Sequence, residues 1–312
     1  MNEYAIEVKD LVKRYGDATA LCGVTFSVPR GALFSYLGVN GAGKSTTIDI
    51  LCSVLPKTSG EVRILGLDSR SHSAEIKRKT GVVFQSSFLD GRLTVKDNLT
   101  IRAAFYGLRG RAWKARLSEL DDLLGLAEIM NKPLLRLSGG QRRRADIARG
   151  LINSPEILYL DEPTTGLDPM TRKKVWEVVD NIRKTAGTTV FLTTHYMEEA
   201  AKSSLAAIID KGKIVATGTP QELKDRFAGD YVYLYRNRDE NFDEILRRSG
   251  REFRYGDNAY RVKVSDTHAA YELLSGLSEL PDFEVIKGDM DDVFLCATGK
   301  TREEAEIDER IR

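Results

Sequence analysis

The chain has 312 residues, 42% hydrophobic and 30% charged, ordinary usage for folded domains and enough for one large or two ordinary ones with a sizeable core. Lys and Arg number 47 against 46 Asp and Glu, a formal charge of +1, so no nucleic acid is expected as a partner. No apolar run approaches the roughly 18 residues that span a bilayer, Met1-Asn2-Glu3-Tyr4 lacks a secretory pattern, and Cys22, Cys52 and Cys296 are odd in number and far apart, which together lead us to expect a cytoplasmic chain with reduced thiols and neither disulfides nor a zinc site.

Through the first two-thirds, apolar strand-like runs alternate with helical patterns, as in an α/β core around a largely parallel sheet. Leu33 to Leu37 reads as a strand. Gly38-Val39-Asn40-Gly41-Ala42-Gly43-Lys44-Ser45-Thr46 follows and fits G-x-x-x-x-G-K-[ST]; Ile48, Leu51, Cys52 and Leu55 then fall on one helix face. Strand, glycine-rich turn and helix are the setting a phosphate loop requires. Gly38, Gly41 and Gly43 allow backbone N–H groups to point at phosphate oxygens, and the helix start adds its positive dipole end. Lys44 is placed to reach the terminal phosphates and Ser45 to coordinate magnesium. ATP or GTP is the expected ligand.

Farther on, Leu137-Ser138-Gly139-Gly140-Gln141 precedes a helix-like Arg142-Arg143-Arg144-Ala145-Asp146-Ile147-Ala148-Arg149. Ser138 and Gln141 have capping-box spacing, which alone is a structural feature. Two glycines inside the cap would also let a ligand approach the helix N-terminus, an anion site. The chain already has its own phosphate loop, so this second site is expected to serve a phosphate held by another subunit. Next, Ile157-Leu158-Tyr159-Leu160-Asp161-Glu162 is an apolar strand ending in two carboxylates. Asp161 is expected to hold magnesium, and Glu162 to polarise the attacking water as general base.

A further apolar strand covers Thr189–Thr194. Past about residue 225 the pattern changes to short alternating strands, 231–235 and 259–264, separated by helix-like stretches 243–248 and 268–277. A small α+β appendage is expected there, and residues 300–312, mostly charged, read as a frayed helix or disordered tail.

The order of phosphate loop, Leu137 to Gln141 signature, acidic strand and His195 resembles the ATPase subunit of an ATP-binding-cassette (ABC) transporter over about residues 3 to 225. The resemblance implies a P-loop NTPase fold of the ABC type with a β subdomain and an inserted helical subdomain at about 87–150, the whole occupying residues 1–225. A small α+β extension would occupy 226–299. It also implies roles: Tyr15 stacks on adenine, Gln85 touches magnesium and the attacking water, Asp168 reaches across a dimer, and His195 contacts the terminal phosphate. Asn40, Ala42 and Thr46 belong to the loop that binds nucleotide. Val39 stands where relatives most often carry proline, and Ser35 and Tyr36 put polar atoms in the strand before the loop; neither position supplies a phosphate ligand. Asp291-Asp292-Val293-Phe294-Leu295 and Thr194-His195-Tyr196-Met197-Glu198-Glu199-Ala200 resemble exporter ATPases of the daunorubicin-resistance type, although packing alone accounts equally well for Val293, Phe294 and Leu295.

What the resemblance implies, then, is an ATP-hydrolysing homodimer, head to tail, with ATP and Mg2+ between the loop of one chain and the signature of the other. It would drive export of a drug, small molecule or lipid through a separately encoded integral membrane permease, on the inner face of the cell membrane. Exposed apolar residues among Phe88, Leu89, Leu93 and Val95 would meet that permease. Three rivals are weighed. A soluble cassette ATPase acting on ribosomes usually carries two cassettes, and this chain has one. A DNA-repair ATPase places a coiled coil between loop and acidic strand, where no sustained heptads occur. An ABC importer subunit usually carries a β-rich C-terminal domain, unlike the extension here.

Overall fold

In the computed structural model, which describes residues 3–299, the chain opens with an antiparallel hairpin of β1 (Tyr4–Tyr15) and β2 (Ala18–Pro29). The expected tail at 300–312 lies outside the described residues. After β3 (Leu33–Leu37) and α1 (Lys44–Leu51) come β4 (Ser59–Ile64) and β5 (Leu67–Asp68), which complete an antiparallel sheet of order β2-β1-β4-β5. The helix after the glycine-rich turn is shorter than the apolar spacing predicts. It ends at Leu51, Cys52 caps it and Ser53 takes φ +54°, so Leu55 packs on the core from the loop beyond.

A short α2 (Ser73–Lys79) leads into β6 (Thr80–Val83), after which the chain forms α3 (Val95–Phe105), α4 (Gly110–Leu124), a 3-10 turn (Leu134–Arg136) and α5 (Gly139–Leu151). It returns through β7 (Ile157–Asp161), α6 (Pro169–Ala186), β8 (Thr189–Thr194), α7 (Met197–Ala200), β9 (Leu205–Asp210) and β10 (Lys213–Gly218). The second sheet has the order β10-β9-β3-β8-β7-β6, with β3 parallel to β8 and β9, and β7 parallel to β6 and β8. A parallel sheet covered on both faces needs apolar side chains at successive positions, and β3, β7 and β8 are buried along their whole lengths. Phe34, Tyr36, Tyr159 and Phe191 line one face, where Phe26 of the antiparallel sheet stacks on Phe34 with 5.5 Å between ring centroids. Leu33, Leu158, Leu160, Val190 and Leu192 line the other, in one cluster with residues of α3, α4, α5 and α6.

The chain divides into two compact units between Thr217 and Gly218. The second starts with α8 (Pro220–Phe227), several residues earlier than the composition change at 225 predicts, because α8 packs on α11 (Met290–Thr298) at the other end of the unit. Between them run β11 (Asp230–Tyr235), α9 (Glu240–Arg248), β12 (Phe253–Gly256), β13 (Ala259–Val264), α10 (Thr267–Ser275) and β14 (Asp282–Lys287). The order β12-β13-β11-β14, with neighbouring strands antiparallel, is the β-α-β-β-α-β arrangement of ferredoxin-like folds. Its core is Val232, Leu234, Tyr260 and Val262 from the sheet against Phe242, Leu246 and Leu273 from α9 and α10. Val293 and Phe294 of α11 are buried, and Asp292 pairs with Arg261 at 3.1 Å. Among the described residues no helix is long and apolar enough to cross a membrane.

Candidate functional site

The loop from Gly38 to Gly43 leaves the C-terminal end of β3, the edge at which ligands bind in parallel α/β sheets. Gly43 caps α1 at φ +111°, and a Cβ there would stand 2.7 Å from Leu21 Cδ2 and 3.0 Å from the Ala20 carbonyl, so glycine is required twice over, by dihedral and by space. Gly38 N–H bonds to Thr194 O at 3.3 Å; Gly41 is exposed at the loop tip, and Ala42 is buried with its carbonyl held by Gly212 N–H at 3.0 Å. Ser45 is exposed and Thr46 half-buried on the first turn of α1, while Thr47 turns inward to Gly43 O at 2.9 Å and the Tyr36 hydroxyl at 3.4 Å.

Lys44 is nearly fully buried. Its ammonium donates to Gly38 O at 2.7 Å, Val39 O at 3.2 Å and Asn40 Oδ1 at 3.4 Å, and pairs with Glu162 Oε1 at 3.2 Å. Glu162 therefore stands directly opposite the loop. The chain places it there by leaving β7 through a left-handed residue, φ +43° at Glu162, with its N–H on Thr193. Such a conformation in a non-glycine residue costs about 1–3 kcal/mol and persists only where the surroundings enforce it. The other carboxylate oxygen, Oε2, meets Gln85 Nε2 at 3.3 Å, Thr165 Oγ1 at 3.1 Å and His195 Nδ1 at 3.4 Å. The last is an ion-pair distance without hydrogen-bond alignment. Proximity of His195, followed by the Lys44 charge, holds the Glu162 carboxyl down to about 2 against a burial effect of opposite sign. Asp161 is shifted the other way: burial first, then the Glu162 charge, pushes it above the usual carboxylate range, while the Thr193 hydroxyl donates to its Oδ1 at 2.5 Å.

The oxygen-bearing side chains around the loop and the acidic pair suit a hard divalent cation. The Ser45 hydroxyl, the Asp161 carboxylate and the carbonyl oxygen of Gln85, whose amide nitrogen is turned to Glu162, are the donor types magnesium takes. Among the described residues no group of three or more His, Cys, Asp and Glu is poised around a metal.

Lys44, Gln85, Asp161, Glu162 and His195 thus converge at the C-terminal ends of β3, β7 and β8. Ser138, Gly139, Gly140, Gln141 and Asp168 form a second group. Ser138 caps α5 and exchanges hydrogen bonds with Gln141 in a capping box, at 3.4 and 3.1 Å. Asp168 caps α6, accepting from Thr171 N–H at 3.0 Å, with Pro169 at the first turn. The two helix starts touch, since a Cβ on Gly140 would lie 2.3 Å from Thr171 Cγ2 and one on Gly139 3.4 Å from Leu167. Packing against α6 accordingly gives Gly140 a reason that ligand approach did not supply. Tyr15 stands apart at the end of β1, 48% exposed, with the Lys13 ammonium 4.9 Å from its ring centre. Its hairpin partner is Ala18, two residues before the Ala20 that touches Gly43.

Of the four apolar residues expected at a permease contact, Phe88 is exposed and Leu93 half-buried, but Leu89 and Val95 are buried and take no part in a surface. Sequence reading also passed over Thr193 and Thr165, which bond the acidic pair, and Arg143, the one buried member of the Arg142–Arg144 run. The 195–200 segment carries a structural device as well: buried Glu199 accepts hydrogen bonds from Thr164, Trp176 and Thr194, joining the loop after Glu162 to the strand before His195.

Comparison with known proteins shows the family to which the chain belongs. The ABC transporter domain matches residues 21–165. The daunorubicin/doxorubicin resistance ATP-binding protein DrrA of Streptomyces peucetius is 36% identical over 323 residues, covering 98% of this chain and 98% of that one. The probable multidrug ABC transporter ATP-binding protein YbhF of Escherichia coli is 40% identical over 228 residues, 73% of this chain, which spans only 39% of that relative's length. Among solved structures, the dimeric ATP-binding cassette MJ0796 in a post-hydrolysis state bound to ADP and Pi superposes with a TM-score of 0.63 at 28% identity, covering 69% of this chain and 98% of that one. A phosphate loop facing a strained glutamate, in a sheet and sequence shared with these proteins, places the chain in the family of ATP-binding-cassette ATPases of ABC transporters.

Proposed function

We propose that the chain hydrolyses ATP as half of a head-to-tail homodimer and thereby drives export through a separately encoded membrane permease at the inner face of the cell membrane. The observation that carries the hydrolytic reading is the placement of Glu162, with Lys44 on one carboxylate oxygen and Gln85, Thr165 and His195 around the other. Lys44 and the loop N–H groups would hold the β- and γ-phosphates, and the exposed Tyr15 ring would stack on adenine. Ser45, Asp161 and Gln85 would hold magnesium, which when bound neutralises charge on the phosphate oxygens.

Water attacks the γ-phosphorus, the bond to the bridging oxygen breaks, and ADP leaves carrying that oxygen. Glu162, ionised at neutral pH, accepts a hydrogen bond from the attacking water and draws off its proton as the new P–O bond forms. His195 and Gln85 would keep the Glu162 carboxylate aimed. A depressed pKa makes it a weak base in this arrangement, which suits a loose transition state with little bond formation to the nucleophile.

Support for the dimer comes from the lateral offset between the two groups of residues. The loop follows β3, whereas α5 packs on β6, three places along the sheet and therefore roughly 14 Å away at ordinary strand spacing. A signature so displaced suits a phosphate on a partner's loop, and MJ0796 is described as dimeric. Export is supported by the end-to-end match to a protein named for daunorubicin/doxorubicin resistance. Phe88, 58% exposed, and Leu135, 69% exposed over Gly91, would meet the permease.

The test is a gentle-detergent pull-down of the tagged chain from its native cells with mass spectrometry of what co-purifies. A polytopic membrane protein is the expected partner, lost on Phe88→Glu while basal ATPase stays. Ribosomal proteins with no membrane protein would overturn the transport reading.

A further inference from the structure

Arg143 is buried in α5, two residues beyond Gln141, and its guanidinium spends three nitrogens on three backbone carbonyls. Nε donates to Pro163 O at 2.7 Å, Nη1 to Phe84 O at 2.7 Å and Nη2 to Asp161 O at 3.2 Å. Each of these carbonyls belongs to or adjoins a residue of the candidate site: Phe84 precedes Gln85, Asp161 is in the acidic pair, and Pro163 follows Glu162. A planar fork with fixed N–H directions holds three acceptors in one geometry, which a lysine ammonium on a flexible stem does not.

The same face of α5 grips the Gln85 segment twice more. Asp146 accepts from the Ser87 hydroxyl at 2.8 Å, and Arg149 donates to Val82 O at 2.6 Å, so residues 143, 146 and 149 follow the i, i+3, i+6 spacing of one helix face. Gly81 and Gly150 bring the two backbones so close that a Cβ on Gly81 would fall 1.9 Å from Gly150 O. Segment 81–87 is thus fastened to the helix that starts at the signature.

We propose that Arg143 is a positioning residue for hydrolysis, setting the distance between Gln85 and the Asp161–Glu162 turn and making that distance depend on where the signature helix stands. The three hydrogen bonds of Arg143 go to carbonyls at positions 84, 161 and 163, beyond the phosphate loop. Its loss should therefore act on the chemical step and spare nucleotide binding. The inference rests on Glu162 being the hydrolytic residue.

The experiment measures kcat and KM for ATP hydrolysis, with ATP-binding stoichiometry by equilibrium dialysis, for the full chain and for Arg143→Lys, Arg143→Gln and Glu162→Gln. Misplacing reacting groups by about 1 Å costs on the order of 100-fold in rate, so kcat of Arg143→Lys is expected to fall about 10- to 100-fold with KM within about twofold and one ATP still bound per chain. An unchanged kcat, or a loss of kcat matched by an equal loss of ATP-binding chains, overturns the proposal. Ser87→Ala, a smaller lesion at the same junction, covers the case in which both Arg143 variants misfold: a several-fold fall in kcat at constant KM supports the inference, and an unchanged kcat overturns it. Hydrolysis surviving in Glu162→Gln overturns the reading of the site itself, whereas a dead Glu162→Gln beside an unaffected Arg143→Lys overturns only the positioning.

Discussion

Asp161 and Glu162 are adjacent carboxylates with opposite electrostatics, and the division follows from what each one faces. Glu162 looks at Lys44 and His195, which favour its charge; Asp161 is raised by burial and by the Glu162 charge, which together outweigh the hydrogen bond it accepts from Thr193. Replacing Glu162 by Gln keeps the shape and removes the base. That variant should bind ATP as the parent does while its kcat falls by about 100- to 10,000-fold, the usual worth of a general base. Rapid turnover by the purified variant would sink the assignment. The same charge bears on acid stability. An unfolded Glu titrates near about 4.3, and the folded carboxyl is held down to about 2. In that window the unfolded chain binds the extra proton, so the stability Glu162 contributes is complete above about pH 4.3 and lost as pH falls toward about 2. Asp161, raised, works in the opposite sense. Melting curves between neutral pH and pH 3 should accordingly drop less steeply for Glu162→Gln than for the parent; parallel curves would contradict the ion-pair account.

The elements that matter most are two helix starts. α5 begins with a reciprocal capping box and α6 with an aspartate cap followed by proline, and they meet where Gly140 faces Thr171. Removing the Ser138 hydroxyl orphans the Gln141 N–H and should cost about 1 kcal/mol of stability, readable by urea titration. Gly140→Ala is a sharper probe. Its methyl would collide with Thr171 Cγ2 at 2.3 Å, whereas Thr171→Ser removes that methyl and leaves the nearest atoms at 3.4 Å. Overpacking of this kind costs about 1–3 kcal/mol, so Gly140→Ala should be destabilised by that amount and largely restored in the double variant. A double variant no more stable than Gly140→Ala alone would mean that the contact is not the cause.

For the whole molecule, the decisive fact is that each unit has its own core. The first is packed on both faces of a six-stranded sheet, and the second under one face of a four-stranded ferredoxin-like sheet. Leu246 is fully buried in the second, so Leu246→Ala should cost that unit about 2–5 kcal/mol while ATP binding by the first is retained. Calorimetry of the variant should show one of two transitions moving to lower temperature while the other stays; a single transition shifted as one would argue for one cooperative core. The edge strand β14 shows why only two of this unit's four strands were legible: all six of its residues are exposed, so it lacks the buried alternation by which strands announce themselves. β12, four residues with no fully buried position, is silent for the same reason.

What the sequence determined by itself was chemistry that depends on short local patterns. A phosphate loop needs glycine dihedrals, a lysine and a helix start in one contiguous stretch, and an acidic pair needs only an apolar strand before it, so Gly38–Thr46, Asp161 and Glu162 were legible one motif at a time. The tertiary structure alone decided which groups share a site. Arg143 looks like its neighbours in a run of three arginines until α5 is laid on β6 and its guanidinium reaches three carbonyls at positions 84, 161 and 163. Gly140 reads as room for a ligand until α6 arrives beside it, and Leu89 and Val95 read as candidate surface residues until the loop after β6 and the start of α3 fold onto the core. Contacts between residues distant in sequence are set by how sheets and helices stack, and no local pattern encodes them.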